Sequence, residues 1–291
     1  MLWASNNLKE ETTMAYQRIL TIQDISCLGQ CSLTVALPIL SACGHETCIL
    51  PSAVLSTHTA GFKDFTVRDL SEDLPAISAH WKQSEMYFDA IYTGYLGSIG
   101  QIDDVKNIFR TNAAVGCINI VDPAMGDNGK LYPAFDKAYA DAMKSLCAEA
   151  DILLPNITEA CYLTDTEYRE VYDHAYVQDL LEKLYALMGG KGTVVLTGVG
   201  YHPEITGVTV YADGEEFYYP HRRIAKGCHG TGDVYASAFV GALMKGKTAN
   251  EAAVIAADYT LRCIEYTQDD PAHWYGVKFE PVLGELMQKL N

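Results

Sequence analysis

Positive charge is scarce in this chain: 21 Lys and Arg stand against 37 Asp and Glu among 291 residues, a formal net charge of −16. A surface of that sign is repelled by phosphate backbones and anionic bilayers, which argues against nucleic acid and membrane as partners. No run approaches the roughly 20 consecutive apolar residues of a bilayer-spanning helix. None of the nine cysteines forms a Cys-x-x-Cys pair, and the closest spacing, Cys27 to Cys31, lacks a second pair or a His-x3-His partner. Neither a structural zinc nor a disulfide framework is indicated, and a reducing cytoplasm is the expected compartment. Three mechanistic signatures are also missing: the Gly-x4-Gly-Lys-[Ser/Thr] phosphate loop, a Gly-x-Gly-x-x-Gly after the first strand, and His-Glu-x-x-His.

What is present is apolar substance in a regular order. Hydrophobic residues make up 49% of the chain, enough for a large core. Residues 1–15 are polar and acidic through Thr13, without the apolar core of a signal peptide, and read as a disordered leader, with Met14 an alternative start. Residues 16–291 read as a single domain. Short β-branched runs at Arg18–Ile25, Thr47–Leu50, Ala90–Thr93, Gly116–Val121, Ile152–Leu154 and Thr193–Thr197 predict strands. Helices are predicted at Ser32–Ala42, Ile102–Thr111, Ala134–Ala148, Val177–Met188, Thr231–Lys245 and Ala249–Thr267. This alternation specifies an α/β fold with a mostly parallel sheet covered by helices on both faces. Asp213-Gly214 between Thr206–Tyr211 and Glu215–Tyr219 predicts a small antiparallel hairpin. Gly246 suits a helix C-terminus, and Thr248 with Glu251 fits a capping box for the next helix.

Four segments carry candidate chemistry, each with a plainer alternative. Gly230-Thr231-Gly232-Asp233 opens a helix. Free N–H groups and the helix dipole favour an anion there, and Asp233 could take a proton from a hydroxyl attacking a phosphoryl group. Asp233 could equally be a simple helix-start residue, although the following helix is too apolar to need one for solubility. After the fourth strand candidate, Asp122 through Gly129 offers two carboxylates, Asp122 and Asp127, for Mg²⁺, or an ordinary turn. Asn156 and Glu159 match an N-cap and its reciprocal partner. Thr197-Gly198 ends a strand where a nucleotide could approach the backbone closely.

Taken in order, these pieces resemble the ribokinase superfamily and, within it, the pyridoxal kinases. The resemblance covers nearly the whole chain from Arg18 and rests on Ile22-Gln23-Asp24-Ile25-Ser26, Ser56-Thr57-His58-Thr59, Thr93-Gly94-Tyr95-Leu96-Gly97-Ser98, Asp122-Pro123 through Asp127, Pro155-Asn156 with Thr158-Glu159-Ala160, and Gly230–Asp233. It implies a ribokinase-like three-layer fold. Asp233 would be the base for a 5′-hydroxyl, with the N–H groups of Gly230, Thr231 and Gly232 on the transferring phosphoryl group. Asp122, Asn156, Thr197 and Gly198 would face ATP. Asp127 and Glu159 would serve Mg²⁺, and Ser26, Thr59 and Tyr95 would contact a pyridine ring. The resemblance further implies a monovalent cation such as K⁺ and a homodimer. Cys228-His229 departs from the pattern and is similar to the hydroxymethylpyrimidine kinases, whose run often reads His-Gly-x-Gly-Cys, whereas Asp233 stands where their cysteine would be. Cys228, beside a helix N-terminus, is a candidate to contact substrate and add reversibly to an aldehyde. An inert packed thiol is the plainer reading of the same position.

Overall fold

A computed structural model describes residues 16–224 and 227–290; the leader expected over 1–15 lies outside them. The chain begins β1 (Arg18–Ser26), α1 (Leu33–Ala42), β2 (Glu46–Leu55), β3 (Val67–Asp69), α2 (Asp73–Gln83), β4 (Phe88–Thr93), α3 (Ile99–Thr111) and β5 (Ala113–Val121). It continues with β6 (Gly126–Asp127), β7 (Lys130–Leu131), α4 (Lys137–Cys147), β8 (Ile152–Leu153), α5 (Ile157–Thr164), α6 (His174–Leu187) and β9 (Thr193–Thr197). Then come β10 (Ile205–Ala212), β11 (Glu215–Arg222), α7 (Thr231–Met244), α8 (Ala249–Thr267), a 3-10 turn at Glu280–Val282 and α9 (Leu283–Leu290).

Nine strands form one sheet in the order β11-β10-β9-β8-β5-β4-β1-β2-β3. The six strands from β9 to β2 are mutually parallel. Helices cover both faces, which is why Ile19, Leu20 and Ile22 of β1 are all fully buried. One face packs against α1, α7, α8 and α9, the other against α2 to α6. All parallel strands end on one edge, so Ser26, Leu55, Thr93, Val121, Leu153 and Thr197 deliver their loops to a common crevice.

Both sheet edges are antiparallel. The predicted hairpin is β10–β11, with Asp213 and Gly214 at φ 54° and 82° in its turn. It is continuous with the central sheet through β10–β9 pairing, not a separate ribbon. A second ribbon, β6–β7, turns on Asn128 and Gly129 at φ 50° and 76°, which realises the turn written into Asp127-Asn128-Gly129. Strand β2 runs past Pro51 to Leu55, beyond its predicted end. Its register with β1 slips between Gln23 and Ile25, so a bulge follows the proline that cannot donate to the ladder. Three predicted helix boundaries move to the nearest side-chain cap: Ser98 opens α3, Asp136 opens α4 and Asp173 opens α6. Strand β3 and helix α2 were not foreseen; β3 is only three residues long and wholly exposed, so it carries no burial pattern. The Thr248–Glu251 capping box forms, and Gly246 takes φ 82°. Among the described residues no helix is long and apolar enough to cross a membrane.

The α1–α7 contact holds the start of α7 against the sheet, and Gly241 is its tightest point: an added Cβ would lie 2.5 Å from Cys43 Sγ. Helix propensity favours alanine over glycine by about 1 kcal/mol, whereas overpacking costs about 1–3 kcal/mol. The steric effect should win. Gly241→Ala is expected to lower the thermal midpoint by a few degrees, and Cys43→Ala in the same chain to restore most of it; an unchanged or raised midpoint in Gly241→Ala would show the contact to be loose.

Candidate active site

The start of α7 is built on one backbone constraint. Gly230 sits at φ 79°, and a Cβ there would fall 1.8 Å from the carbonyl oxygen of Gln30. Only glycine lets the loop after β1 press against this helix N-terminus. Thr231 opens the helix, its hydroxyl donating to the Cys228 carbonyl at 3.4 Å. Asp233 lies in the first turn, where the Ser32 N–H donates to its carboxylate. Ser32 is held at φ 54°, a left-handed conformation unusual for serine.

Burial raises the Asp233 carboxyl to about 7; the Ser32 N–H opposes that shift and the charge of Asp24 adds to it. Asp24 is itself raised by burial, although hydroxyls of Ser32 and Ser26 stabilise its charge, the latter at 2.9 Å. A carboxylate poised near neutrality can take up a proton at physiological pH.

Around these groups lies a cavity of about 650 Å³. Gly230, Thr231, Gly232, Asp233, Ser26, Thr59, Tyr95 and Cys228, all singled out in the sequence, line it together with His58, His229 and Tyr132. Among its described lining residues there is no Lys or Arg. Tyr95 packs on Phe135 with ring centroids 5.2 Å apart, giving this lobe an aromatic wall. His58 closes the opposite side. Its Nδ1 accepts from the Ala60 N–H at 3.1 Å, so its Nε2–H is left to donate to the Tyr275 carbonyl. Its ring also lies 5.4 Å from that of His229, whose pKa is lowered chiefly by burial.

A second cavity of about 700 Å³ adjoins the first, and Asp127 and Asn156 line both. Thr197 and Gly198 line the second one together with Tyr172, Arg222, Arg223, Leu261 and Ile264. Gly198 has φ 77°, and nothing lies within 4 Å of its missing Cβ, so the backbone there is open to a ligand.

The junction of the two lobes is tied by Glu159. Its Oε2 accepts from the Asn156 N–H at 2.9 Å while the Asn156 side chain caps the Glu159 N–H at 3.0 Å, which completes the capping box. Its Oε1 accepts from the N–H groups of Met125 and Gly126 at 2.9 and 3.4 Å. Asn156 Nδ2 donates to the Gly126 carbonyl at 2.8 Å, and the Gly129 N–H donates to Thr158 Oγ1 at 2.9 Å. The capping box is therefore formed; Asn156 lines both cavities, whereas Glu159 is buried and lines neither. Asp122 lines neither cavity; it sits beneath them, holding the Ala124 N–H at 3.1 Å. Burial raises its carboxyl well above the usual range, and the charges of Glu159 and Asp233 raise it further. Glu159 is likewise raised by burial, against the pull of its three N–H donors.

Among the described residues no three His, Cys, Asp or Glu side chains are grouped closely enough to chelate a metal by themselves. Mg²⁺ commonly keeps several waters and takes only one or two carboxylates plus substrate phosphates. Carboxylates that destabilise one another's charge, with an exposed Asp127 at the lobe junction, fit such a hard cation.

Sequence reasoning missed part of the wall of the first lobe. His58 and Asp24 stood inside quoted motifs without a role, although a carboxylate at the end of an apolar strand was a usable signal. Residues 270–277, which line neither cavity but support the first one from behind, gave none: Trp274 packs on Phe62 at 4.8 Å, and the Val277 N–H donates to the His229 carbonyl at 3.1 Å, contacts made across more than 40 residues of chain.

Residues 39–277 match the phosphomethylpyrimidine kinase family. The pyridoxal kinase of Lactobacillus plantarum superposes with a TM-score of 0.87 at 31% identity, covering 94% of this chain and 97% of that one. A phosphomethylpyrimidine kinase structure from Bacteroides thetaiotaomicron, described as putative and crystallised with pyridoxal, gives a TM-score of 0.87 at 35% identity over 93% of this chain and 96% of that one. Thiamine biosynthetic bifunctional enzyme TH1 of Arabidopsis thaliana is 25% identical over 296 residues, 96% of this chain, which spans 55% of that enzyme's length. Motif order, sheet topology and these likenesses agree: the chain belongs to the phosphomethylpyrimidine kinase family and, with the pyridoxal kinases, to the ribokinase-like superfamily.

Proposed function

We propose that the protein transfers the γ-phosphoryl group of ATP to the 5′-hydroxyl of a vitamin B6 vitamer: pyridoxal, pyridoxine or pyridoxamine. The observation that carries this reading is Asp233: a carboxyl held near neutrality at a helix N-terminus, lining one lobe, with a second lobe adjoining it at Asp127 and Asn156. The acceptor hydroxyl gives its proton to Asp233 as its oxygen bonds to the γ-phosphorus. The bond from that phosphorus to the bridging oxygen breaks, and ADP leaves with the electron pair. Free N–H groups of Gly230, Thr231 and Gly232, with the α7 dipole, favour charge on the moving group. Alignment and charge neutralisation supply most of the rate in such a transfer.

Asn156, Thr197 and Gly198 would face ATP, with Asp122 acting from beneath. Ser26, Thr59, Tyr95 and Cys228 would contact the pyridine ring; the aromatic pair Tyr95–Phe135 supports a flat heteroaromatic acceptor over a sugar. Asp127 and Glu159 would hold Mg²⁺, directly or through water, and that ion would screen the phosphate charge. A monovalent cation such as K⁺ and a homodimeric assembly belong to the same proposal. One observation favours a second reading: Cys228-His229 stands against the acceptor lobe, and hydroxymethylpyrimidine could occupy the same space.

ADP release measured with pyridoxal, pyridoxine, pyridoxamine and hydroxymethylpyrimidine separates the two. At least one B6 vitamer is expected to give the highest kcat/KM, and turnover of hydroxymethylpyrimidine alone would reject the vitamer assignment.

Asp233→Ala is expected to lower turnover at least about a hundredfold, the lower range for loss of a general base, with folding intact. Near-normal turnover would remove Asp233 from the mechanism.

The raised Asp233 pKa makes activity and stability respond to pH in opposite senses. The base works ionised, so kcat/KM should rise with pH through about 7. An unfolded aspartate titrates near ~3.9, so folding favours the protonated form. That stabilising contribution is full below about 4 and lost as pH rises through about 7. Ligand-free wild type should therefore lose several degrees of thermal midpoint relative to Asp233→Asn between pH 5 and pH 8. Parallel midpoints across that range would contradict the assigned burial of charge.

A further inference from the structure

The segment joining α5 to α6, residues 165–173, is tied to its neighbours through Asp165, Glu167 and Arg169. Asp165 accepts from Lys137 Nζ at 3.1 Å and Lys144 Nζ at 2.6 Å. The Tyr176 hydroxyl donates to the Glu167 carbonyl at 2.8 Å, and the Arg169 guanidinium lies 5.1 Å from the Tyr176 ring centroid. The segment also reaches two loops that line the second lobe. The Tyr168 ring lies against Gly129, where a Cβ would come 2.6 Å from ring atom Cδ1, in the turn next to Asp127. The Tyr172 hydroxyl donates to the Gly198 carbonyl at 3.2 Å and accepts from the Gly200 N–H at 3.2 Å. One phenol thus spans two backbone groups of the loop after β9, and that loop contains the left-handed, open backbone of Gly198.

We propose that Tyr172 is a positioning residue for the nucleotide, fixing the Gly198–Gly200 backbone against which ATP lies. The inference rests on the reading of this lobe as the nucleotide site. A loop whose residues 198 and 200 must otherwise find water has more conformations to lose on binding, and that loss weakens nucleotide affinity without touching the acceptor lobe. The ring of Tyr172 is also packed, stacking on Tyr176 at 5.6 Å and meeting Tyr201 edge-on at 6.3 Å. Tyr172→Phe keeps those ring contacts and removes only the bridging hydroxyl.

Magnesium–ADP binding is titrated into wild type, Tyr172→Phe and the control Tyr185→Phe, alongside KM for ATP and for the acceptor. Tyr185 is a suitable control because its hydroxyl bonds to Asp213 at 3.2 Å in the remote hairpin turn. Loss of the paired backbone contacts should weaken ADP binding and raise KM for ATP by about 3–10-fold, the range for one or two neutral hydrogen bonds. The acceptor KM, kcat and thermal midpoint should stay near wild type, and Tyr185→Phe should match wild type in all of them. Equal ADP affinity in wild type and Tyr172→Phe would overturn the role of Tyr172. A parallel loss of midpoint, acceptor KM and ADP affinity would also overturn it, by showing a merely structural residue. Absence of ADP binding in wild type would instead overturn the nucleotide reading of the lobe.

Discussion

The junction of the two lobes hangs on a buried carboxylate, Glu159, that has no cation beside it among the described residues. Glu159 accepts three backbone N–H groups, one from its own capping box and two from the loop after β5. Each of those N–H groups would otherwise be a buried donor without a partner, at about 1–3 kcal/mol apiece. Among the described residues the carboxylate in turn has no other partner to compensate for leaving water, so each side depends on the other. This mutual dependence locks the N-terminus of α5 to the Met125–Gly129 turn. Asp127 and Asn156, the two residues shared by both lobes, are thereby fixed relative to each other.

That lock sits within a concentration of negative charge. Asp24, Asp122, Glu159 and Asp233 all have carboxyls raised by burial, and Asp122, Glu159 and Asp233 are raised further by neighbouring carboxylates. In a chain of net charge −16 this arrangement is unfavourable to the ligand-free fold. It becomes useful where a cation and a phosphoryl group enter together, since the helix N-terminus at Gly230–Gly232 and the carboxylates then each meet their opposite charge. Strain is gathered at the same place: Ser32 and Gly230 both adopt left-handed backbone, and both lie at the contact between the β1 loop and α7.

The parts of the molecule legible in the sequence were those governed by local rules. Alternating apolar runs gave the parallel core, Asp213-Gly214 gave the hairpin, and Asn156 with Glu159 gave the α5 cap. The Gly230–Asp233 run gave the helix start with a carboxylate in its first turn. Local rules also set the failures. Pro51 hid the second half of β2, because the bulge that accommodates it depends on pairing with β1. Strand β3 exists through β2 and is exposed throughout, so no periodicity announces it. The walls of the site depend on contacts between residues far apart in sequence: His58 with Tyr275, Phe62 with Trp274, and Tyr172 with Gly198 and Gly200. No spacing rule connects those pairs, since each is set by which loops the sheet topology brings to the same edge.

In the proposed reaction, two adjoining lobes present a hydroxyl and a nucleotide to one another across Asp127 and Asn156, with Asp233 on the hydroxyl side. A crystal structure of this protein with magnesium–ADP and pyridoxine bound decides it. The proposed reaction requires the ADP phosphates to point from the Thr197–Gly198 lobe toward Gly230–Gly232. It also requires the 5′-hydroxyl oxygen to lie about 2.6–3.2 Å from the Asp233 carboxylate, the reach of a general base. Pyridoxine bound elsewhere, or held with that hydroxyl turned away from Asp233, would contradict it.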